Sequence, residues 1–345
     1  MSLQSVIVKT LLKLPPSWLV RLSGGKPVEI AGRTLDPYFQ FLAHGAARQP
    51  PMSSQQPGAA RAASAEALQM LAPPADPGVT TEDFNLEAHG REIPVRLYRP
   101  SEQDADVPMM VYLHMGGGVI GDLEICHRFC EILTTKTMGP VLSVDYRLAP
   151  EHKFPAGLQD SIFAYEWALK NAENYGAPAG RASVGGDSMG GNFTAIIAQE
   201  MQRQHKPIPE LQLMIYPTTE IDCDRPSRKL FGETYPLSSE TMDWFMSHYV
   251  PDGWDVNDVQ ISPARAADLS GLPPAVLVTA GFDPLCDEGE AYAQRLEGAG
   301  VSTIFKCYDA LAHGFTAFTN VSPAADAACH EIAQFVRDAY NKPVT

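Results

Sequence analysis

Residues 186–190 read Gly186-Asp187-Ser188-Met189-Gly190, a serine framed by glycines of the kind that holds a nucleophile on a sharp turn between a strand and a helix. The frame alone is weak, so its surroundings have to decide. A serine hydroxyl is a poor nucleophile near neutral pH and needs a base, itself oriented by an acid, and on this kind of turn the chain order is Ser, acid, His. Of the histidines that follow, His205, His248, His313 and His330, the last falls inside a predicted helix. His313, in Ala312-His313-Gly314-Phe315, follows an apolar run and is the expected base. Asp283, in Gly281-Phe282-Asp283-Pro284 at the end of another apolar run, is the expected orienting acid. Asp287 and Glu288 are its rivals, but they open a predicted helix, where acidic residues commonly answer the helix dipole. A fourth part is a glycine loop, His114-Met115-Gly116-Gly117-Gly118, whose backbone N–H groups can meet a developing oxyanion. Gly116 and Gly117 are the expected donors, joined by the N–H of Met189. A phosphate cradle is excluded, because the Lys-Ser/Thr ending of such loops is missing.

These residues need elements to carry them. Apolar runs at 84–89 and 93–99 read as a hairpin, and runs at 109–113, 141–145, 182–185, 211–216, 275–280 and 303–308 as short strands. Most are continuous rather than alternating, as strands of a buried parallel sheet are. Helical patterns at 125–137, 158–172, 192–204, 288–299 and 324–340 lie between them. This rhythm predicts an α/β fold: a mostly parallel eight-stranded sheet with helices on both faces. His114 and its glycines, Ser188, Asp283 and His313 then all follow the carboxyl ends of different strands, where open α/β sheets place their sites. Residues 49–77, rich in Pro, Ala, Ser and Gln, read as a linker between N-terminal helices and a catalytic core covering 81–217 and 264–345. Residues 218–263 are too long and aromatic for a plain crossover and read as a helical insertion; with residues 1–80 it forms a cap over the site.

Composition bounds the rest. With 45% hydrophobic and 19% charged residues, the 345-residue chain can bury a large core. A net charge of −15 without a basic cluster argues against nucleic acid as a partner. Cys126, Cys130, Cys223, Cys286, Cys307 and Cys329 form no CxxC pair, so they read as reduced thiols of a cytoplasmic protein rather than metal ligands. The N-terminal stretch, with Val6, Val8, Leu11, Leu12, Trp18 and Leu19, is interrupted by Lys9, Lys13 and Pro15-Pro16. It reads as amphipathic helices packed on the protein rather than a leader or a membrane span.

Over residues 95–335 the sequence resembles the hormone-sensitive-lipase-like carboxylesterases of the α/β-hydrolase superfamily. The resemblance rests on Tyr112-Leu113-His114 with Gly116-Gly117, Asp145-Tyr146-Arg147-Leu148-Ala149-Pro150-Glu151, Gly186 to Gly191, Asp283-Pro284-Leu285 and His313-Gly314-Phe315. It implies an α/β-hydrolase fold with a helical cap and no cofactor. The implied reaction is hydrolysis of small-molecule esters of short acyl chains through a Ser188-His313-Asp283 triad and an acyl-enzyme; the oligomeric state is left open, a homodimer among the alternatives because many relatives pair through sheet edges or late helices. Asp145 and Arg147 are implied to hold loops around the site. The same triad also serves amide hydrolysis and acyl transfer, and a ligand receptor on this fold would commonly lack a triad member. Met115 stands in place of the first glycine of the family's His-Gly-Gly-Gly loop, Gly118 in place of the aromatic after it, and Met189 where alanine is usual. Gly118 is expected to leave the acyl pocket roomier, and Met189 to narrow it.

Overall fold

Residues 109–113 alternate between two hydrophobic clusters: Met109, Val111 and Leu113 pack in one, Met110 and Tyr112 in the other. That is the period-two geometry of a strand buried on both faces. A computed structural model of the chain describes residues 8–88 and 90–341; Val6 and His89, expected in a helix and at a strand end, lie outside them. A small hairpin, β1 (Glu29–Ile30) and β2 (Arg33–Thr34), precedes the main sheet of β3 (Val79–Ala88), β4 (Arg91–Pro100), β5 (Met109–Leu113), β6 (Val141–Val144), β7 (Ala182–Asp187), β8 (Gln212–Ile215), β9 (Ala275–Phe282) and β10 (Thr303–Ala312). Its order is β10-β9-β8-β7-β5-β6-β4-β3. Every neighbouring pair is parallel except those made by β4, which runs antiparallel to β3 and β6. Strands β5 to β9 are buried at every residue, whereas the edge strand β3 is mostly exposed. Continuous apolar runs thus mark the centre of the sheet, as expected when helices cover both faces.

The helices are α1 (Pro16–Leu22), α2 (Pro37–Ala46), α3 (Pro57–Leu71), α4 (His127–Thr137), α5 (Ala156–Asn171), α6 (Met189–Arg203), α7 (Pro226–Leu230), α8 (Ser239–Tyr249), α9 (Cys286–Gly298) and α10 (Pro323–Tyr340). One face of the sheet takes α5 and α6 through Leu158, Tyr165, Phe193, Ile197 and Met201. The other takes α4 and α10 through Phe129, Leu133, Ile332 and Val336. Helices α7 and α8 lie in the excursion between β8 and β9. Among the described residues no helix is long and apolar enough to cross a membrane.

The linker expected at 49–77 is not a linker. Residues 57–71 form the 15-residue helix α3, with Pro57 in its first turn. Alanine is the best helix former and proline is pre-set for the first helical position, so the Ala-rich stretch between flanking prolines folds rather than wanders. From α3, Arg61 donates Nε to the Val119 carbonyl at 2.7 Å and Nη2 to the Ala149 carbonyl at 2.7 Å, and pairs with Glu151. Two segments next to the glycine loop and to Pro150 are tied together by this one side chain.

Candidate active site

Strand β7 ends at Asp187 and α6 begins at Met189, so Ser188 takes the whole reversal, with φ 54° and ψ −113°. A non-glycine residue seldom adopts a positive φ, and strain of this kind is held only where the surroundings over-determine it. Here they do. The Ser188 N–H donates to the Ile215 carbonyl at 2.9 Å, and a Cβ on Gly190 would fall 1.9 Å from the Leu113 carbonyl oxygen. Glycine at 190 is what lets the first turn of α6 press against the end of β5.

His313 follows directly on β10, and Asp283 directly on β9. His313 Nε2 lies 2.9 Å from Ser188 Oγ, and His313 Nδ1 lies 2.6 Å from Asp283 Oδ2. Asp283 is fully buried, and its other oxygen accepts the Leu285 N–H at 2.8 Å. A neutral imidazole donating Nδ1–H to Asp283 leaves its Nε2 lone pair facing the serine hydroxyl. The expected rivals do other work: Glu288 is fully buried, accepts the N–H groups of Thr219 and Glu220 at 2.8 and 3.2 Å, and takes the Arg228 guanidinium at 2.6 Å. Burial pushes the Glu288 carboxyl up, while Arg228 and the two N–H groups pull it back. Asp287 accepts the Ser227 N–H. His330 is on α10, 3.8 Å from Asp326 and away from this group.

Gly117, Ser188 and Met189 line one cavity of about 230 Å³, with Thr218, Ile221, Arg228, Leu237, Met242, Phe245, Met246 and Leu285 among its walls. Gly116 is set back from that lining; its carbonyl accepts the N–H groups of Val119 and Ile120 at 3.0 and 2.9 Å. The glycines at 116, 117 and 118 all have positive φ, 126°, 62° and 70°. The extra room expected beside Gly118 is not there. A Cβ at Gly117 would fall 2.3 Å from the Phe245 ring and one at Gly118 would fall 2.6 Å from the Tyr249 ring, so α8 of the excursion lays two aromatic rings on the glycine loop.

His114 is buried and stacked on Tyr146 at 4.2 Å, and burial lowers its pKa to about 4, so the ring is neutral near pH 7. Tyr146 donates its hydroxyl to the His114 carbonyl at 2.8 Å, which fixes the chain as it enters the glycine loop. Arg147 holds a loop as the resemblance implied, donating to Asp160 from Nε and Nη2 at 2.8 and 2.9 Å. Asp145 does not. Its carboxylate has no hydrogen-bonding or ion-pair partner among the described residues, and burial, with the charge of Asp122, pushes it up to about 6.

One group escaped the sequence reading. Asp187, fully buried behind Ser188, accepts the Tyr216 hydroxyl at 2.9 Å and the Thr316 hydroxyl at 2.8 Å. The Tyr216 ring also packs on His313, with centroids 4.8 Å apart. Burial raises the Asp187 carboxyl, and the hydroxyls oppose that rise. Asp187 was visible in the glycine frame, but nothing in its spacing pointed to positions 216 and 316.

A serine, a histidine and an aspartate brought together at the carboxyl ends of β7, β10 and β9 of a mostly parallel sheet are the arrangement of an α/β hydrolase. The chain belongs to the hormone-sensitive-lipase-like family of α/β hydrolases: the family model described as alpha/beta hydrolase fold matches residues 110–317. It is 36% identical to the carboxylic ester hydrolase LipN of Mycobacterium tuberculosis, over 96% of this chain and 90% of that protein. An ethyl acetate hydrolase of Pseudomonas putida is 35% identical over 84% of this chain and 93% of its own length. Among solved structures, an alpha/beta hydrolase enzyme from the metagenome of Lake Arreo, Spain, superposes with a TM-score of 0.83 at 37% identity, covering 89% of this chain and 99% of that one.

Proposed function

We propose that the protein hydrolyses carboxylic esters of short acyl chains, with Ser188 as nucleophile, His313 as general base and acid, and Asp283 holding the imidazole. As a member of its family the chain is a carboxylic ester hydrolase, an activity carried in the names of its relatives. What carries the assignment of roles is the 2.9 Å approach of His313 Nε2 to Ser188 Oγ on the wall of a small cavity. Ser188 Oγ attacks the ester carbonyl as its proton passes to Nε2; the imidazolium is stabilised by Asp283 and then protonates the leaving alcohol. Water, deprotonated by the same Nε2, attacks the acyl-enzyme and restores the serine. The N–H groups of Gly116, Gly117 and Met189 receive the oxyanion, each donor of this kind being worth about 2.7–4 kcal/mol.

Cavity size supports the short acyl chain, since about 230 Å³ lies below the 300–1,000 Å³ common for ligand pockets. Residues 1–80 and 218–263 act as the cap in this reading, supported by the contacts of Phe245 and Tyr249 with the glycine loop. A cytoplasmic setting fits six free thiols, and pairing of two copies would use a sheet margin, where β10 already lies against the N-terminal hairpin segment. Ser188→Ala assayed on p-nitrophenyl butyrate tests the nucleophile: hydrolysis falls to background, and retention of full activity refutes the assignment. A series of esters from acetate to palmitate tests the acyl chain, where a maximum at the long end refutes it.

A further inference from the structure

Cys286 opens α9 three residues after Asp283, and Cys307 lies on the neighbouring edge strand β10, where it pairs in register with Thr279 of β9. Their sulfurs are 3.8 Å apart, and Cys286 Sγ also lies 3.8 Å from Thr279 Oγ1. Arg33, from the N-terminal hairpin, points into the same place: its Nη1 lies 3.8 Å from Cys286 Sγ and donates to the Gly281 carbonyl at 2.9 Å, while its Nε pairs with Asp309 at 3.1 Å. Cys286 is buried and Cys307 is partly exposed, so the pair runs from the surface of the sheet edge to just beneath it. We propose that Cys286 and Cys307 form an oxidisable dithiol, a modification site at which a hydroperoxide closes a disulfide across the base of the Asp283 turn.

The two thiols are shifted in opposite directions. A hydrogen bond from the Cys307 thiol holds Cys286 below the ordinary thiol range, helped by Thr279 and the Arg33 charge against the opposing effect of burial. Cys307 is pushed up by the same bond and by burial. Cys286 is thus the more acidic thiol of the two and Cys307 the less acidic. The Cys286 thiolate attacks one oxygen of the hydroperoxide and breaks the O–O bond, giving a sulfenic acid and an alcohol or water. Cys307 then loses its proton and attacks the Cys286 sulfur, expelling hydroxide, which leaves as water with that proton. Two thiols lose two electrons and the O–O bond gains them. The sulfurs must close from 3.8 Å to about 2.0 Å for the disulfide to form. Among the other thiols, Cys126 and Cys130 also lie in contact but are both buried in the core, where burial pushes Cys130 up as it does Cys329, and Cys223, partly exposed beside Glu288, is pushed up to about 12.

The test is hydrogen peroxide added to the reduced, full-length chain, followed by peptide mass analysis without reductant. Peptides carrying Cys286 and Cys307 are expected to emerge joined and two hydrogens lighter, and to separate again with dithiothreitol. In Cys307→Ser the join is lost, and Cys286 is instead trapped by dimedone as its sulfenic acid. Oxidation of either residue to sulfinic acid without joining, joining to another cysteine, or a Cys286 that does not react overturns the proposal. Because the readout is a mass and not hydrolysis, its result is independent of whether Ser188 is the nucleophile.

Discussion

The Tyr249 ring fills the space into which a side chain on Gly118 would project, with its Cδ2 2.6 Å from the position of a Cβ there. A helix far along the chain thus supplies the aromatic surface that the resemblance placed in the glycine loop itself. Gly118→Phe should therefore not restore the family pattern. It adds a ring where one already lies, at a φ of 70°, and overpacking of this kind costs about 1–3 kcal/mol. A lowered melting temperature and weakened hydrolysis are expected; an unchanged melt would show that the ring is not confined.

Phe245 is the matching control on acyl length, because its ring meets Gly117 and lines the cavity. Phe245→Ala should destabilise the fold by about 3 kcal/mol while freeing space for longer chains. Since one methylene fitted in an apolar pocket is worth roughly tenfold or more, kcat/KM for octanoate relative to acetate should rise at least that much. An unchanged ratio would mean that the acyl group lies elsewhere.

Asp187 is expected to be a positioning residue, because it joins the turn bearing Ser188 to Thr316, three residues past His313, and to Tyr216 against the imidazole. Asp187→Asn keeps the volume but offers a weaker acceptor and introduces a donor facing two hydroxyls. A displacement of about 1 Å can cost 10²-fold in rate, so kcat should fall by roughly that factor with KM little changed. A variant that loses only thermal stability, with its kcat and pH profile intact, would give Asp187 a purely structural part.

Arg228 is expected to be required for the fold near neutral pH. Glu288 is fully buried and Arg228 is its cationic partner, and removing one member of a buried pair commonly costs about 3–5 kcal/mol. Arg228→Met should approach that loss. Burial already raises the Glu288 carboxyl, and without Arg228 it rises further, so the deficit grows as pH increases through the shifted value and shrinks in acid. Denaturant melts at pH 5 and pH 8 check the sign: an equal deficit at both excludes the charge as its cause.

Asp145 gives the cleanest pH test. Its folded carboxyl titrates at about 6, above the ordinary aspartate range near 4. The folded chain therefore binds this proton more tightly than the unfolded chain, and stability is lost as pH rises from about 4 through 6. Asp145→Asn should leave stability unchanged at pH 4 and raise it above pH 7 by on the order of 1–2 kcal/mol, after allowance for solvent screening. A variant less stable than the parent at pH 8 would show that Asp145 has a favourable partner.

Much of this site was legible because its parts are local. Gly186, Ser188 and Gly190 form one turn, and Asp283 and His313 each follow directly on a strand. An apolar run that ends on a polar residue is readable from five or six letters, and a parallel sheet then sends all such ends to one side. The helix at 57–71 was missed, although its alanines were plain, because the prolines and serines flanking it weigh towards a loop when helix propensity is not summed over the segment. The role of Glu288 was misjudged because an acidic residue in a first helical turn has a ready local explanation, whereas its partners lie 60 to 69 residues away.

The alternation of strands and helices in the core, the serine turn and the strand ends that carry Asp283 and His313 could be read from residues alone, since each depends on side chains within a few positions of one another. What fills the space over Gly117 and Gly118, which carboxylates are paired, and the meeting of Arg33, Cys286 and Cys307 came from the folded chain. Those outcomes depend on which distant segments share a boundary, and sequence separation carries no direct record of packing.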